Sequence, residues 1–138
     1  MSTSPADFNA KVIEEFRANG GRVGGPFENM TLLLVHHVGA RSGKPRVNPV
    51  AYNRDGERYV IFASKAGAPT NPGWYHNLMA NPQTQIEVGG QIISVTASEA
   101  TGDERNRLFN AQAERSPQFR EYQERTQRLI PVIVLTPS

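Results

Sequence analysis

Hydrophobic positions along the chain change period several times, and each change predicts an element. Phe8, Val12, Ile13 and Phe16 recur at helical spacing, opened by Ser4 as an N-cap with Pro5 behind it and closed by Gly20-Gly21. Such a stripe packs on its own domain as a rule; the alternatives are a gate over a pocket or a peripheral membrane contact through Phe8, Val12 and Phe16. Residues 1–25 therefore read as an amphipathic helix and loop, and Pro26 leads into the remainder of a single domain spanning residues 1–138. Thr31–Val38 is a continuous apolar run of strand length. Val47–Arg54 and Arg58–Ser64 are two more strands around the hairpin signal Asp55-Gly56, and Pro49 inside the first of them predicts an edge or a bulge. Asn71 as N-cap with Pro72 in the first turn opens a short helix, and Asn81-Pro82 marks its stop. Thr84–Val88 and Gln91–Ala97 flank Gly89-Gly90 as a further hairpin. Thr101 and Glu104 form a capping box before a helix that turns Leu108 and Phe109 inward. Ser116-Pro117 opens another helix, carrying Phe119 and Tyr122, and Ile130–Leu135 is the last strand. About six antiparallel strands with flanking helices predict a mainly β, α+β fold, a closed or partly split β-barrel.

Composition removes several function classes. There are no cysteines, so disulfides, thiol catalysis and thiolate metal sites are excluded. His36 and His37 are adjacent and point to opposite faces of a strand, and His76 is the one other histidine, so no metal site is expected. One of the pair is read as a core or pocket residue and the other as solvated. The net charge of +2 is too small to argue for nucleic acid, and the aromatic content of 8% is not interleaved with cations on strand faces. No apolar run approaches the roughly 20 residues of a membrane span, and the start lacks a signal-peptide core, so a cytoplasmic location is expected, with membrane association left to the first helix.

The remaining charge is informative because it is concentrated. Gly39–Arg46 (GARSGKPR) sets Arg41, Lys44 and Arg46 among small turn residues between two strands. Small residues let backbone N–H groups approach a ligand, and the arginine fork suits phosphate or carboxylate, so this is a candidate anion-binding turn. A basic, solvated hairpin tip is the alternative. Lys65 adds a cation after the third strand, and the helix that starts behind Pro72 offers free N–H groups nearby.

Three stretches, GARSGKPRVNPV, DGERYVIFASKAGAPTNPGWYHNLMANP and RTQRLIPVIVLTP, resemble the deazaflavin-dependent nitroreductase family, which includes the F420-dependent quinone reductases. The resemblance implies a split β-barrel, FMN-binding-like, that uses coenzyme F420. It implies that Ala40, Arg41, Ser42 and Arg46, with Lys44 in the same turn, hold the phosphate and polyglutamate tail. Val47, Asn48, Pro49, Val50 and Ala51 would run beside the ligand, with Phe62, Ala63, Ser64 and Lys65 on the other wall. Gly73, Trp74, Tyr75, His76 and Asn77 would bring the helix start against the coenzyme. Phe119 would complete the cofactor site, with Tyr122 and Ser64 as the catalytic hydroxyls. The implied reaction is hydride transfer from reduced F420 to a quinone-like acceptor, with nitro compounds the weaker candidates. Family members that reduce quinones and bulky nitro compounds line the acceptor side with several tyrosines; the matching positions here are Ala51, Ser116, Phe119 and Tyr122, and only Tyr122 keeps the phenol. An FMN-dependent barrel oxidoreductase and a non-catalytic F420-binding protein are the alternatives. The sequence sets no oligomeric state.

Overall fold

The computed structural model describes residues 5–24 and 31–138. Its strands are β1 (Leu32–Val38), β2 (Pro45–Asp55), β3 (Arg58–Phe62), β4 (Gln83–Val88), β5 (Gln91–Ala100) and β6 (Val132–Pro137). They close into an antiparallel barrel in the order β1-β2-β3-β6-β5-β4. The helices are α1 (Pro5–Ala18), α2 (Gly73–Ala80), α3 (Gly102–Arg115) and α4 (Gln118–Arg125).

Alternation along each strand sorts the side chains into three cores. Leu33 and Val35, Tyr59 and Ile61, Val95 and Ala97, and Ile133 and Leu135 point inward, where Trp74 and Leu78 of α2 join them. The opposite faces of β3 and β6, through Val60, Phe62, Val132 and Val134, are covered by Leu108, Phe109 and Phe119 of α3 and α4. Leu32 and Leu34 face Val12 and Phe16 of α1. Phe16 is fully buried and Val12 is 5% exposed, so this part of the α1 stripe packs on the domain. Ser4, the side chain of Phe8, and Pro26 lie outside the described residues.

The local signals that differ from the structure do so for identifiable reasons. The β2–β3 turn is Gly56-Glu57, because Asp55 stays in the ladder opposite Arg58 and Gly56 supplies the positive φ of 63°. Asp55 is used by ion pairs to Arg58 and to Arg107 of α3 instead. Asn71 does not cap α2; Pro72 holds the cap position, and the Asn71 amide oxygen accepts from Arg128 Nη1 at 2.7 Å. Thr101 does hold the N-cap of α3, but its side chain makes no capping bond.

The feature that positions the site is in β2. Its first part, residues 45–51, pairs with β1, whereas only residues 52–55 pair with β3. Beyond Phe62 the chain leaves the sheet into a single 3₁₀ turn at Lys65–Gly67. The two strands therefore part company, and the stretch around Pro49 keeps one edge without a strand partner, which is the edge its proline predicts.

Candidate functional site

A cleft of about 560 Å³ occupies the place where β2 and β3 separate. Arg46, Asn48, Pro49, Val50 and Ala51 of β2 form one wall. Phe62, Ser64 and Lys65 from the end of β3, with Phe119 and Tyr122 of α4, form the other. Pro72, Gly73, Trp74 and Asn77 close one end from the start of α2, and Asn9 of α1 reaches in beside Leu32. The result combines flat apolar walls, an unpaired strand edge and two cations.

Each wall has its own support. The Phe62 ring meets Phe119 edge-on at 5.6 Å between centroids, and Phe119 meets Tyr122 at 5.3 Å, which fixes α4 against the barrel. The Ser64–Asn71 segment is held by Arg128. Its guanidinium donates to the carbonyl oxygens of Ala63 (3.1 Å), Ser64 (2.8 Å) and Ala68 (2.9 Å) as well as to Asn71. Within that segment Lys65 has a φ of 46°, rare for a side chain with a Cβ and a form of strain that persists only where the surroundings impose it. Gly67, at φ 82°, lies so close to α4 that an added Cβ would sit 2.8 Å from the Tyr122 carbonyl oxygen. Arg105, 6% exposed, anchors the other end of the same unit by donating to the Ile130 carbonyl and to Gln123.

The structure thus gathers thirteen of the sequence candidates into one cleft, counting Arg46, Asn48, Pro49, Val50, Ala51, Phe62, Ser64, Lys65, Gly73, Trp74, Asn77, Phe119 and Tyr122. The others lie elsewhere. Ala40, Arg41, Ser42 and Lys44 are exposed in the turn beyond the cleft mouth. Ala63 points into the barrel core, and Val47 packs toward α1. Tyr75 sends its hydroxyl to Glu99 of β5, which drives the phenol pKa up to about 12, and His76 is exposed. Leu32, Asn9, Pro72 and above all His37 are the lining residues that sequence reasoning did not assign. The expectation of one core or pocket histidine is met by His37, 4% exposed at the cleft, whereas His36, expected to be solvated, is half-buried and paired with Glu87 across the β1–β4 ladder.

The sequence pattern of the F420H(2)-dependent quinone reductase family matches residues 10–137. The chain belongs to that family. It is 42% identical over 125 residues to an F420H(2)-dependent quinone reductase of Mycobacterium tuberculosis, covering 88% of this chain and 84% of the relative. Among solved structures it is similar to an F420-H2-dependent reductase, FDR-A, at a TM-score of 0.70 and 37% identity over 75% of this chain and 92% of the other. A chain described as a domain-swapped dimer matches at a TM-score of 0.72 and 32% identity, over 96% and 99% respectively. Membership makes this chain an oxidoreductase with coenzyme F420 as its cofactor, and FMN is not favoured.

Proposed function

We propose that the cleft between β2 and β3 seats coenzyme F420 and that the protein passes a hydride from its reduced form to a quinone. The observation that carries this reading is the split of β2 from β3, which joins an unpaired strand edge to aromatic walls and to Arg46 and Lys65. These residues fit the group. A planar ring system suits a slot walled by Trp74, Phe62 and Phe119, and the strand edge offers backbone N–H and C=O groups to its polar rim. Phosphate and carboxylates suit Arg46 and Lys65, with Arg41 and Lys44 beyond the mouth for an anionic tail.

When bound, the deazaflavin supplies a hydride, because carbon stands where a flavin carries N5. The chain's own residues orient and shield. Trp74 and Phe62 limit the tilt of a ring in the slot, and Phe119 excludes water from the α4 side. Tyr122 brings its phenol to the same wall, where it can donate to the oxygen of a quinone that gains negative charge on reduction. Ala51 and Phe119 give that side a different shape and fewer hydroxyls than several tyrosines would, so a nitro group finds fewer donors there while Tyr122 still serves a quinone oxygen.

Fluorescence titration with oxidised F420 and with FMN, followed by turnover of menadione and a bicyclic nitroimidazole, tests the proposal. Tight F420 binding weakened by Arg46→Ala and Lys65→Ala, with menadione the faster acceptor, is expected. Preference for FMN, or equal fast turnover of both acceptors, would overturn it.

A further inference from the structure

Three side chains of the cleft form a directed hydrogen-bond chain whose polarity is fixed from one end. The Ala40 backbone N–H can only donate, and it reaches Asn77 Oδ1 at 2.9 Å. The Asn77 oxygen must therefore face the basic turn, and its Nδ2 faces His37 Nδ1 at 2.9 Å. Nδ1 is then the acceptor, so the imidazole proton sits on Nε2, which lies 2.7 Å from Asn48 Oδ1 and donates to it. With its oxygen turned to His37, Asn48 directs its NH2 away from the imidazole. That group makes no hydrogen bond to a described residue, and among the described residues no buried side-chain nitrogen or oxygen lacks a partner, which leaves it available to the cleft that Asn48 lines.

We propose that His37 is a positioning residue, a neutral Nε2-protonated imidazole that turns the Asn48 NH2 into the cleft as a donor to a carbonyl oxygen or unprotonated ring nitrogen of the bound coenzyme. Asn77 ties this donor to Ala40, so the ring slot and the anion-binding turn share one network. The inference rests on the F420 reading of the cleft but concerns residues the basic turn does not include. The groups around His37 keep it neutral. Arg46 lies directly across the ladder on β2, His36 precedes it on β1, and α2 presents the uncharged Asn77. Burial first, then Arg46 and His36, push the imidazole pKa below its ordinary 6.5 against the opposing pull of Asn48. A protonated Nδ1 could no longer accept from Asn77, and the Asn77 amide would have to turn away from Ala40.

The test reads the proton directly and then the ligand. Nitrogen NMR of the full chain at neutral pH should show His37 as the Nε2–H tautomer, with protonation below the ordinary 6.5. F420 affinity, followed by fluorescence, should fall as pH drops through that protonation. Asn48→Leu should weaken F420 about three- to tenfold at neutral pH, the usual range for one hydrogen bond. His37→Gln, which can still donate to Asn48, should retain most of the affinity and lose its acid dependence, whereas His37→Phe should match Asn48→Leu. An Nδ1–H or cationic imidazole at neutral pH would overturn the proposal, as would wild-type F420 affinity in Asn48→Leu. Absence of F420 binding by the wild-type chain would instead overturn the cofactor reading, and the ligand half of this inference with it.

Discussion

The turn Gly39–Arg46 and the segment Ala63–Asn71 both bring cations to the cleft, but they are held by different means. The turn is tied mostly to itself, through Gly39 N–H to Lys44 oxygen and Gly43 N–H to Gly39 oxygen, both at 2.9 Å, and its residues 40–46 are exposed. One contact, Ala40 to Asn77, fastens it to α2. The segment, by contrast, is gripped by Arg128 from just before β6, and it accommodates Lys65 in a strained conformation and Gly67 against the α4 backbone. If the cleft seats F420 as proposed, the segment would meet a flat ring, which needs fixed geometry, and its preorganisation suits that task. The turn would gather a flexible anionic tail, which works through charge, so it can remain in solvent at little cost.

The largest expected effect comes from breaking the grip. Arg128→Ala leaves three backbone carbonyls and Asn71 without their donor and should lower the unfolding free energy by about 2–4 kcal/mol in urea denaturation. It should also cost F420 affinity, since Ser64 and Lys65 lose their frame. Arg128→Lys should recover little, because a single ammonium cannot reproduce a planar fork reaching four oxygens. A wild-type denaturation midpoint in Arg128→Ala would mean that the segment holds itself and that the contrast with the turn is false.

The next effect separates the two sets of cations. Lys65→Ala should raise the F420 dissociation constant about tenfold or more, with modest dependence on salt. Arg41→Ala should raise it only a few-fold at low ionic strength, and the difference should fade at a few hundred millimolar salt as the Debye length contracts. Fluorescence titrations of both variants at two salt concentrations decide this; equal salt sensitivity would place Lys65 with the turn. Tyr122→Phe should be quieter in binding, leaving F420 affinity near wild type while reducing menadione turnover about three- to tenfold, the range of one lost hydrogen bond in the transition state. A variant with unchanged turnover would remove the phenol from the reaction.

How far the sequence exposes these regions follows from the range of the interactions. The strands, the Gly89-Gly90 hairpin and the basic turn rest on alternation and on turn residues a few positions apart, and both are visible in a linear pattern. The end of α2 at Asn81 is visible for the same reason. Arg128 gives no such signal, because its partners are backbone oxygens about sixty residues away. The same holds for His37: its role depends on Asn77 forty residues downstream, arriving on a different element with its amide already oriented by Ala40. Asn71 and Thr101 show the converse error. Each has the residue type of a cap, but Arg128 claims the Asn71 oxygen, and no bond forms at Thr101 although Thr101 occupies the position.

The smallest expected effect uses a third cationic cluster, remote from the cleft, as the control for the first two. Asp55 at the β2–β3 turn binds Arg107 of α3 and Arg58, and these partners hold its carboxyl down to about 2 from the ordinary 3.8. A carboxyl whose folded pKa is depressed stabilises the fold above its unfolded value and loses that contribution as pH falls toward the folded one. Wild-type protein should therefore shed this increment between about pH 4 and about pH 2, and Asp55→Asn should lack that part of the acid limb. At neutral pH the substitution should lower Tm by only about 2 °C or less, since ion pairs this close to water are screened. It should leave F420 binding unchanged at any salt concentration. Thermal melts of both proteins from acid to neutral pH provide the check. A large neutral-pH loss would show that exposed ion pairs can frame this fold as firmly as Arg128 does, and the turn Gly39–Arg46 would then need the same reconsideration.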